Sequence, residues 1–259
     1  MNIPEILALY DQEQRIQIEY PGMQKERLEK LVRFLRPAPG MSFISYSWLD
    51  PGEIDPVIQE QIADFGRSKL RFSWYVCDHD RPAELKKRLL AHGFQPSDPD
   101  ALMALDLKEL PAALQGDTPA HVQRITRREL LADVIQIQTQ AYGGDFEWIW
   151  DRLGVLMETP ELISLFVTYM DAVPVSTGWV IFHPNSQFAN LKGGATIPEQ
   201  RGKGLYTAIL AARAQEARRR GRRYLLIDAG AMSQPIAARH GFQLLTSARD
   251  FDYPYEETE

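Results

Sequence analysis

Thr196-Ile-Pro-Glu-Gln-Arg-Gly-Lys-Gly-Leu-Tyr206 is the stretch on which the reading of this 259-residue chain turns. It follows a β-rich run, FANLKGGATI (188–197), and opens a helically spaced one, 203–219, whose Leu205, Ala208, Ile209 and Ala212 share a face. A strand that turns into a helix leaves several backbone N–H groups without an internal partner at the turn. Glycines 202 and 204 keep side chains out of the way, and the helix dipole adds partial positive charge. Arg201 and Lys203 add cationic donors. Such a loop suits a phosphate or pyrophosphate.

Two common phosphate loops do not fit it. A P-loop requires Ser or Thr after its lysine and a glycine at 197, where this chain has Gly204 and Ile197. A dinucleotide fingerprint requires a third glycine at 207, which is threonine.

Outward from the loop, HVQRI (121–125) reads as a strand. Thr126 to Glu129 has the form of a capping box opening a helix with Leu130, Val134, Ile137 and Ala141 on one face. LFVTYM (165–170) and PVSTGWVIFH (174–183) pair as a hairpin about Asp171-Ala172. After the long helix come a strand at 223–229, a short helix begun by Ser233, and further strand. Upstream, 41–49 and 70–77 read as strands, with Asp55-Pro56 opening a helix between them and Ile58, Ile62 and Phe65 facing inward. A helix from about 82 to 91 stops at His92-Gly93, and 101–107 is a strand. The break falls in KELPAALQGDTPA, 108–120, which gives domains 1–113 and 119–259. His92-Gly93-Phe94-Gln95 recurs as His240-Gly241-Phe242-Gln243, after the same order of elements and with Asp78 and Asp228 at matching strand ends, so the halves read as a duplication.

Arg-x-x-Gly-x-small after a strand, Arg201 to Tyr206, resembles the pyrophosphate loop of the GNAT superfamily of acyl-CoA N-acyltransferases. The lead-in Ala195 to Glu199, the preceding hairpin, the following strand and the helix stop at Gly241-Phe242 are in GNAT order over residues 120–247. The resemblance implies an α/β fold with a mixed sheet, in two tandem GNAT-like domains of which the first is degenerate and lacks the loop. It implies acetyl-CoA as cosubstrate, with Ala195, Thr196 and Ile197 along the pantetheine arm. It also implies that Arg201, Gly202, Lys203, Gly204, Leu205 and Tyr206 lie at the pyrophosphate, a backbone N–H near Thr196 serving as oxyanion donor. Tyr206 stands where the family usually has glycine or alanine, so its ring must find room.

The family's usual tyrosine and glutamate positions hold Ala237 and Asn190. Ser233 and Asn190 are the candidate catalytic residues, with Tyr253, Tyr255, His240 and Asp228 as further groups near the expected cleft. Asp145, Glu147 and Trp148, carboxylates beside an aromatic, suit a cationic or amine-bearing acceptor. A chain that holds acetyl-CoA as a sensor, without turnover, is the alternative from another class.

Net charge is −6, so the arginine run 218–223 reads as the cationic end of a helix, and no nucleic-acid partner is expected. The five histidines show no ligand spacing, so no metal is expected. One cysteine, no signal-like start and no run of about 20 apolar residues point to a cytoplasmic protein with no membrane partner. Its expected partner is a small-molecule amine, and a homodimer is an open option.

Overall fold

The computed structural model describes residues 1–37, 40–116, 119 and 121–254. Tyr255 and residues 117, 118 and 120 of the expected break lie outside the described residues. The strands and helices in chain order are α1 (Ile3–Tyr10), β1 (Gln24–Arg27), β2 (Leu31–Leu35), β3 (Ser42–Ser47), α2 (Ile54–Arg67), β4 (Phe72–Cys77), α3 (Leu85–Ala91), β5 (Gln95–Pro96) and β6 (Asp100–Asp106). There follow β7 (Val122–Ile125), α4 (Leu131–Tyr142), α5 (Trp148–Met157), β8 (Ile163–Met170), β9 (Val173–Phe182), β10 (Phe188–Thr196), α6 (Leu205–Arg219), β11 (Tyr224–Ala229), α7 (Gln234–Arg239) and β12 (Gln243–Asp252). Two compact units result. The first holds Met1–Leu102, Ala229–Gln234 and the residues from Leu244 on; the second holds Met103–Asp228 and Pro235–Gln243.

In the first unit α1 runs on into a π-helical turn, Asp11–Ile16. β1, β2 and β3 are antiparallel neighbours. β3 pairs in parallel with β4 over Ser42–Ile44 and Phe72–Trp74, with α2 as the crossover. β12 completes the unit by pairing antiparallel with β4, from Ala248↔Cys77 to Asp252↔Ser73. The expected cut at 113–119 therefore does not coincide with the compact units, because residues far along the chain supply a strand to the first. Ile54, Ile58 and Phe65 of α2 are buried, and Phe65 stacks on Phe72 at 4.1 Å between centroids. Asp55-Pro56 does not begin that helix. The capping box lies earlier, at Asp50 and Glu53, which bracket a short turn. Asp55 instead accepts from His92 at 3.0 Å.

In the second unit the strand order is β11-β10-β9-β8-β7. β10 is antiparallel to β9 and parallel to β11, with α6 as the crossover. The hairpin turns at Asp171 and Ala172 with φ of 50° and 66°, the left-handed geometry of a two-residue turn. The Thr126–Glu129 box does not form: a turn at Arg128–Leu130 leads into α4, and neither start has a side-chain cap. Leu131, Val134 and Ile137 of α4, with Ile149 and Leu153 of α5, bury against β8 and β9, including Trp179. Leu205, Ile209 and Ala212 of α6 are buried as expected, but so are Leu210, Ala211, Ala214 and Ala217. Small side chains let this helix lie close on the strands.

The repeated tetrapeptide does the same thing twice. Gly93 and Gly241 take φ of 88° and 89°, and the Phe94 and Phe242 N–H groups each reach back five residues, to Leu89 and Ala237. Both histidines then reach the first turn of the preceding crossover helix: His92 to Asp55 at 3.0 Å, His240 Nε2 to Thr207 Oγ1 at 3.4 Å.

Candidate functional site

Gly193 and Gly194 interrupt β10. Lys192 pairs with Trp179, pairing resumes only at Ala195↔Thr177, and the two glycines form a bulge. Gly193 has φ of 59°, and a Cβ there would sit 1.8 Å from the Trp179 ring. No other residue fits. The bulge carbonyls point outward to helix α4: Gln138 donates to Gly193 O at 2.7 Å and the Tyr142 hydroxyl to Gly194 O at 2.8 Å.

Pairing between β10 and β11 ends at Leu191↔Ile227, although β10 continues to Thr196. The two strands fork there, and the Lys192 ammonium binds the Asp228 carboxylate at the fork. Ile197 N–H donates to Val175 O at 3.0 Å. Alternation along an antiparallel pair then turns the backbones of Ala195 and Ile197 to β9 and that of Thr196 to the open side. The Ser176 hydroxyl donates to Ala195 O at 2.9 Å. Of the three residues expected along a pantetheine arm, Thr196 alone directs its backbone N–H into the fork.

Beyond Thr196 the chain turns at Pro198–Gln200 and enters α6. Gly202 and Gly204 have φ of 77° and 78°, and a Cβ on either would meet nothing within 4 Å. Glycine is required here for backbone conformation, and the space in front is open. The first helical bond is Ala208 N–H to Gly204 O, and the helix start has no side-chain cap. The Leu205, Tyr206 and Thr207 N–H groups are therefore left for an incoming anion. Arg201 is exposed but held by backbone: Nε donates to Thr196 O and Nη2 to Ala141 O, both at 3.1 Å, tying α4 to the end of β10. Lys203 rests on Gln200 at 2.8 Å.

Tyr206 finds room by laying its ring against Gly194, 3.1 Å from where a Cβ would stand. His240 lies across from it, ring centroids 6.1 Å apart. Burial, with the Arg239 charge adding to it, lowers the His240 pKa and favours a neutral imidazole. Arg213 lies beneath the bulge, fully buried on α6. Sequence reasoning passed over Arg213, Gln138 and Tyr142. The Gly-Gly pair inside a strand was the one signal available for this region.

Antiparallel strands, a bulge, a fork between parallel neighbours and an uncapped glycine-rich helix start form one arrangement. Solved structures match the fold across nearly the whole chain. A GCN5-related N-acetyltransferase from Kribbella flavida matches with a TM-score of 0.70 at 19% identity, over 98% of this chain and 96% of that one. The fold is that of the GNAT acetyltransferases. A tandem GNAT protein from the clavulanic acid biosynthesis pathway matches with a TM-score of 0.63 at 15% identity, over 94% of this chain and 87% of that one. A GCN5-related N-acetyltransferase from Sphaerobacter thermophilus gives 0.58 at 14%, over 98% and 87%. No protein-family model and no curated protein matches the chain.

The other expected site residues fall around this GNAT frame in different ways. Asn190 is half-buried on β10, within the part still paired to β11 at Leu226. Ala237 is buried in α7 and offers no polar atom. Ser233 belongs to the first unit, where its hydroxyl donates to Gly230 O at 3.1 Å. Tyr253 packs on Phe72 and Phe94, also in the first unit. Asp145, Glu147 and Trp148 are all exposed at the start of α5, where Asp145 accepts from Glu147 N–H at 2.7 Å. The arginine run is held by the protein itself. Arg220 donates to Pro160 O, Glu161 O, Ser164 and Glu216, Arg222 to Ser186 O, and Arg223 to Asp106. Among the described residues no helix is long and apolar enough to cross a membrane.

Proposed function

We propose that the chain is an acetyl-CoA-dependent N-acetyltransferase that acylates the primary amine of a small molecule or an amino terminus by direct attack. The observation that carries this reading is the continuity of the β10–β11 fork with the uncapped helix start behind Gly202 and Gly204. The residues present fit the cosubstrate: open space before both glycines, three unsatisfied N–H groups for a pyrophosphate, and a strand edge for an extended arm. Acetyl-CoA supplies the activated acyl group. The chain's part is to hold it: the N–H groups of Leu205 to Thr207 at the pyrophosphate, and the Thr196 N–H in the fork as donor to developing negative charge. His240, kept neutral by burial, and the exposed carboxylates Asp145 and Glu147 beside Trp148 are the groups available to receive a proton and to attract a cationic acceptor.

Only the second half, 119–259 in sequence, carries this role; the first, 1–113, is structural. In the first unit β3 and β4 also part, after Ile44↔Trp74. There the chain fills the gap itself, with Arg15 bonded to Ser45 O at 2.8 Å and to Asp80 at 2.6 Å.

Calorimetric titration of acetyl-CoA into wild type and a Gly202→Asp/Gly204→Asp variant tests the reading. Wild type binds and the variant does not; absence of binding to folded wild type would remove it. The buried Ala237 favours a second reading, a protein that holds acetyl-CoA without turnover. Release of CoA thiol with a panel of primary amines separates the two.

A further inference from the structure

Lys192 is exposed although β10 has a strand on either side. The last β10–β11 pair is Leu191↔Ile227, so Lys192 and Asp228 are the first residues on the two walls of the fork, where they bind each other. Among the described residues neither side chain has another hydrogen-bond or ion-pair partner. The lysine side chain is 44% exposed and the aspartate 29%. An ion pair this open to solvent holds weakly, so the ammonium leaves it readily.

The amine stands on the acceptor side of the sheet. Lys192 lies opposite Trp179 across the β9–β10 pair, and directly paired residues share a face. Trp179 belongs to the core under α4 and α5, the helix at whose start Asp145, Glu147 and Trp148 are exposed. Thr196, whose N–H enters the fork, pairs with Ser176. Because of the bulge, Lys192 and Thr196 are separated by only three residues of β9, about 10 Å. A thioester bonded at Thr196 and a flexible four-carbon stem from Lys192 share that span. No other lysine of the second unit lies on a strand: Lys108 follows β6, and Lys203 rests on Gln200 beyond Thr196.

We propose that Lys192 is a self-acetylation site, the amine that takes the acetyl group when no acceptor occupies the fork. This rests on the acetyl-transfer reading above. On leaving Asp228 the ammonium gives one proton to solvent. Its lone pair bonds to the thioester carbonyl carbon, the C–S bond breaks and its electron pair stays on sulfur. A second nitrogen proton passes by way of the Asp228 carboxylate to that sulfur. The products are an acetylated lysine, CoA thiol and one released proton. Acetylation removes the lysine charge and with it the ion pair. Asp228 is then left free at the fork, on the side where a cationic acceptor would enter.

The test needs no acceptor. Acetyl-CoA with an isotopically labelled acetyl group is incubated with wild type and with Lys192→Arg, and marked lysines are mapped by peptide mass spectrometry over time. In wild type Lys192 is marked at least about tenfold faster than any other lysine, because the bound thioester is held beside it. Excess desulfo-CoA, which occupies the cofactor site without carrying an acyl group, removes that advantage and leaves the slow marking of other lysines unchanged. Lys192→Arg, which keeps a cation for Asp228, loses the fast phase and retains the slow one. A Lys192 rate no higher than that of Lys203 and the others, or one that desulfo-CoA does not lower, overturns the proposal; calorimetric binding of acetyl-CoA in the same sample then leaves the acetyl-transfer reading standing. Absence of acetyl-CoA binding to folded wild type overturns both.

Discussion

Arg15 and Ser45 bind each other twice: Arg15 Nε donates to the Ser45 carbonyl at 2.8 Å, and the Ser45 hydroxyl donates to the Arg15 carbonyl at 2.7 Å. Ser45 lies on β3 just past its last parallel pair with β4, and Arg15 on the π-helical turn. The guanidinium continues to Asp80 beyond the end of β4 and lies over the Tyr46 ring at 4.8 Å. The first unit's fork is thus held by the Arg15–Asp80 pair, and the second unit's carries the Lys192–Asp228 pair.

Arg15→Met should destabilise the protein by about 3–5 kcal/mol, because it strands Asp80 and Asp11 without their cation. The shift in urea midpoint at constant slope measures it. An added Asp80→Asn should recover part of the loss, and a single-variant loss below about 1 kcal/mol would contradict the pairing as described.

Gly193→Ala puts a methyl group into the Trp179 ring and forces a left-handed φ on alanine. A loss of about 3 kcal/mol follows from overpacking and backbone strain together. Because the bulge must move, affinity for acetyl-CoA should fall as well. Gly202→Ala, with open space before it, should lose only the backbone share, about 1–2 kcal/mol. The difference between the two melting shifts is the measurement.

Glu216 gives the fold an acid-sensitive anchor. Burial pushes its pKa up, but hydrogen bonds from Arg219, Arg220 and Ser164 outweigh that and bring it down to about 2. A folded value below the unfolded one, about 4.3, means stability that is present above about pH 4.3 and lost as the pH falls through 2. The amount is on the order of 3 kcal/mol. Glu216→Gln should therefore be less stable than wild type at pH 7, with the gap closing by pH 2. Parallel denaturation curves at the two ends would expose the error if the gap were constant.

The fork-and-loop region was legible because its signals are local: glycines at fixed offsets, a strand before them and helical spacing after. The repeated His-Gly-Phe-Gln was legible for the same reason, since one left-handed glycine stops each helix. Arg15 and Arg213 were not, because a charged residue in a helical pattern reads as solvent-facing, and only tertiary contacts reveal it as buried. Asp55-Pro56 misled because two Asp-Pro pairs lie five residues apart, and Glu53 completes a box only with the earlier one. Arg201 looked like a phosphate ligand by position, yet two carbonyls, of Thr196 and Ala141, hold it in this structure.

Strand β12 has a consequence for how the protein is made. It pairs with Cys77 and its neighbours on β4, yet residues 244–252 leave the ribosome after everything from 1 to 243. During synthesis the edge of β4 therefore stands bare until residues 78–243 have emerged, and bare edges invite strands from other chains. The first unit cannot fold ahead of the second in the usual vectorial order. A fragment ending at 113 would carry the same open edge permanently, whereas a circular permutant that brought 244–252 close to β4 in sequence would free the first unit from waiting.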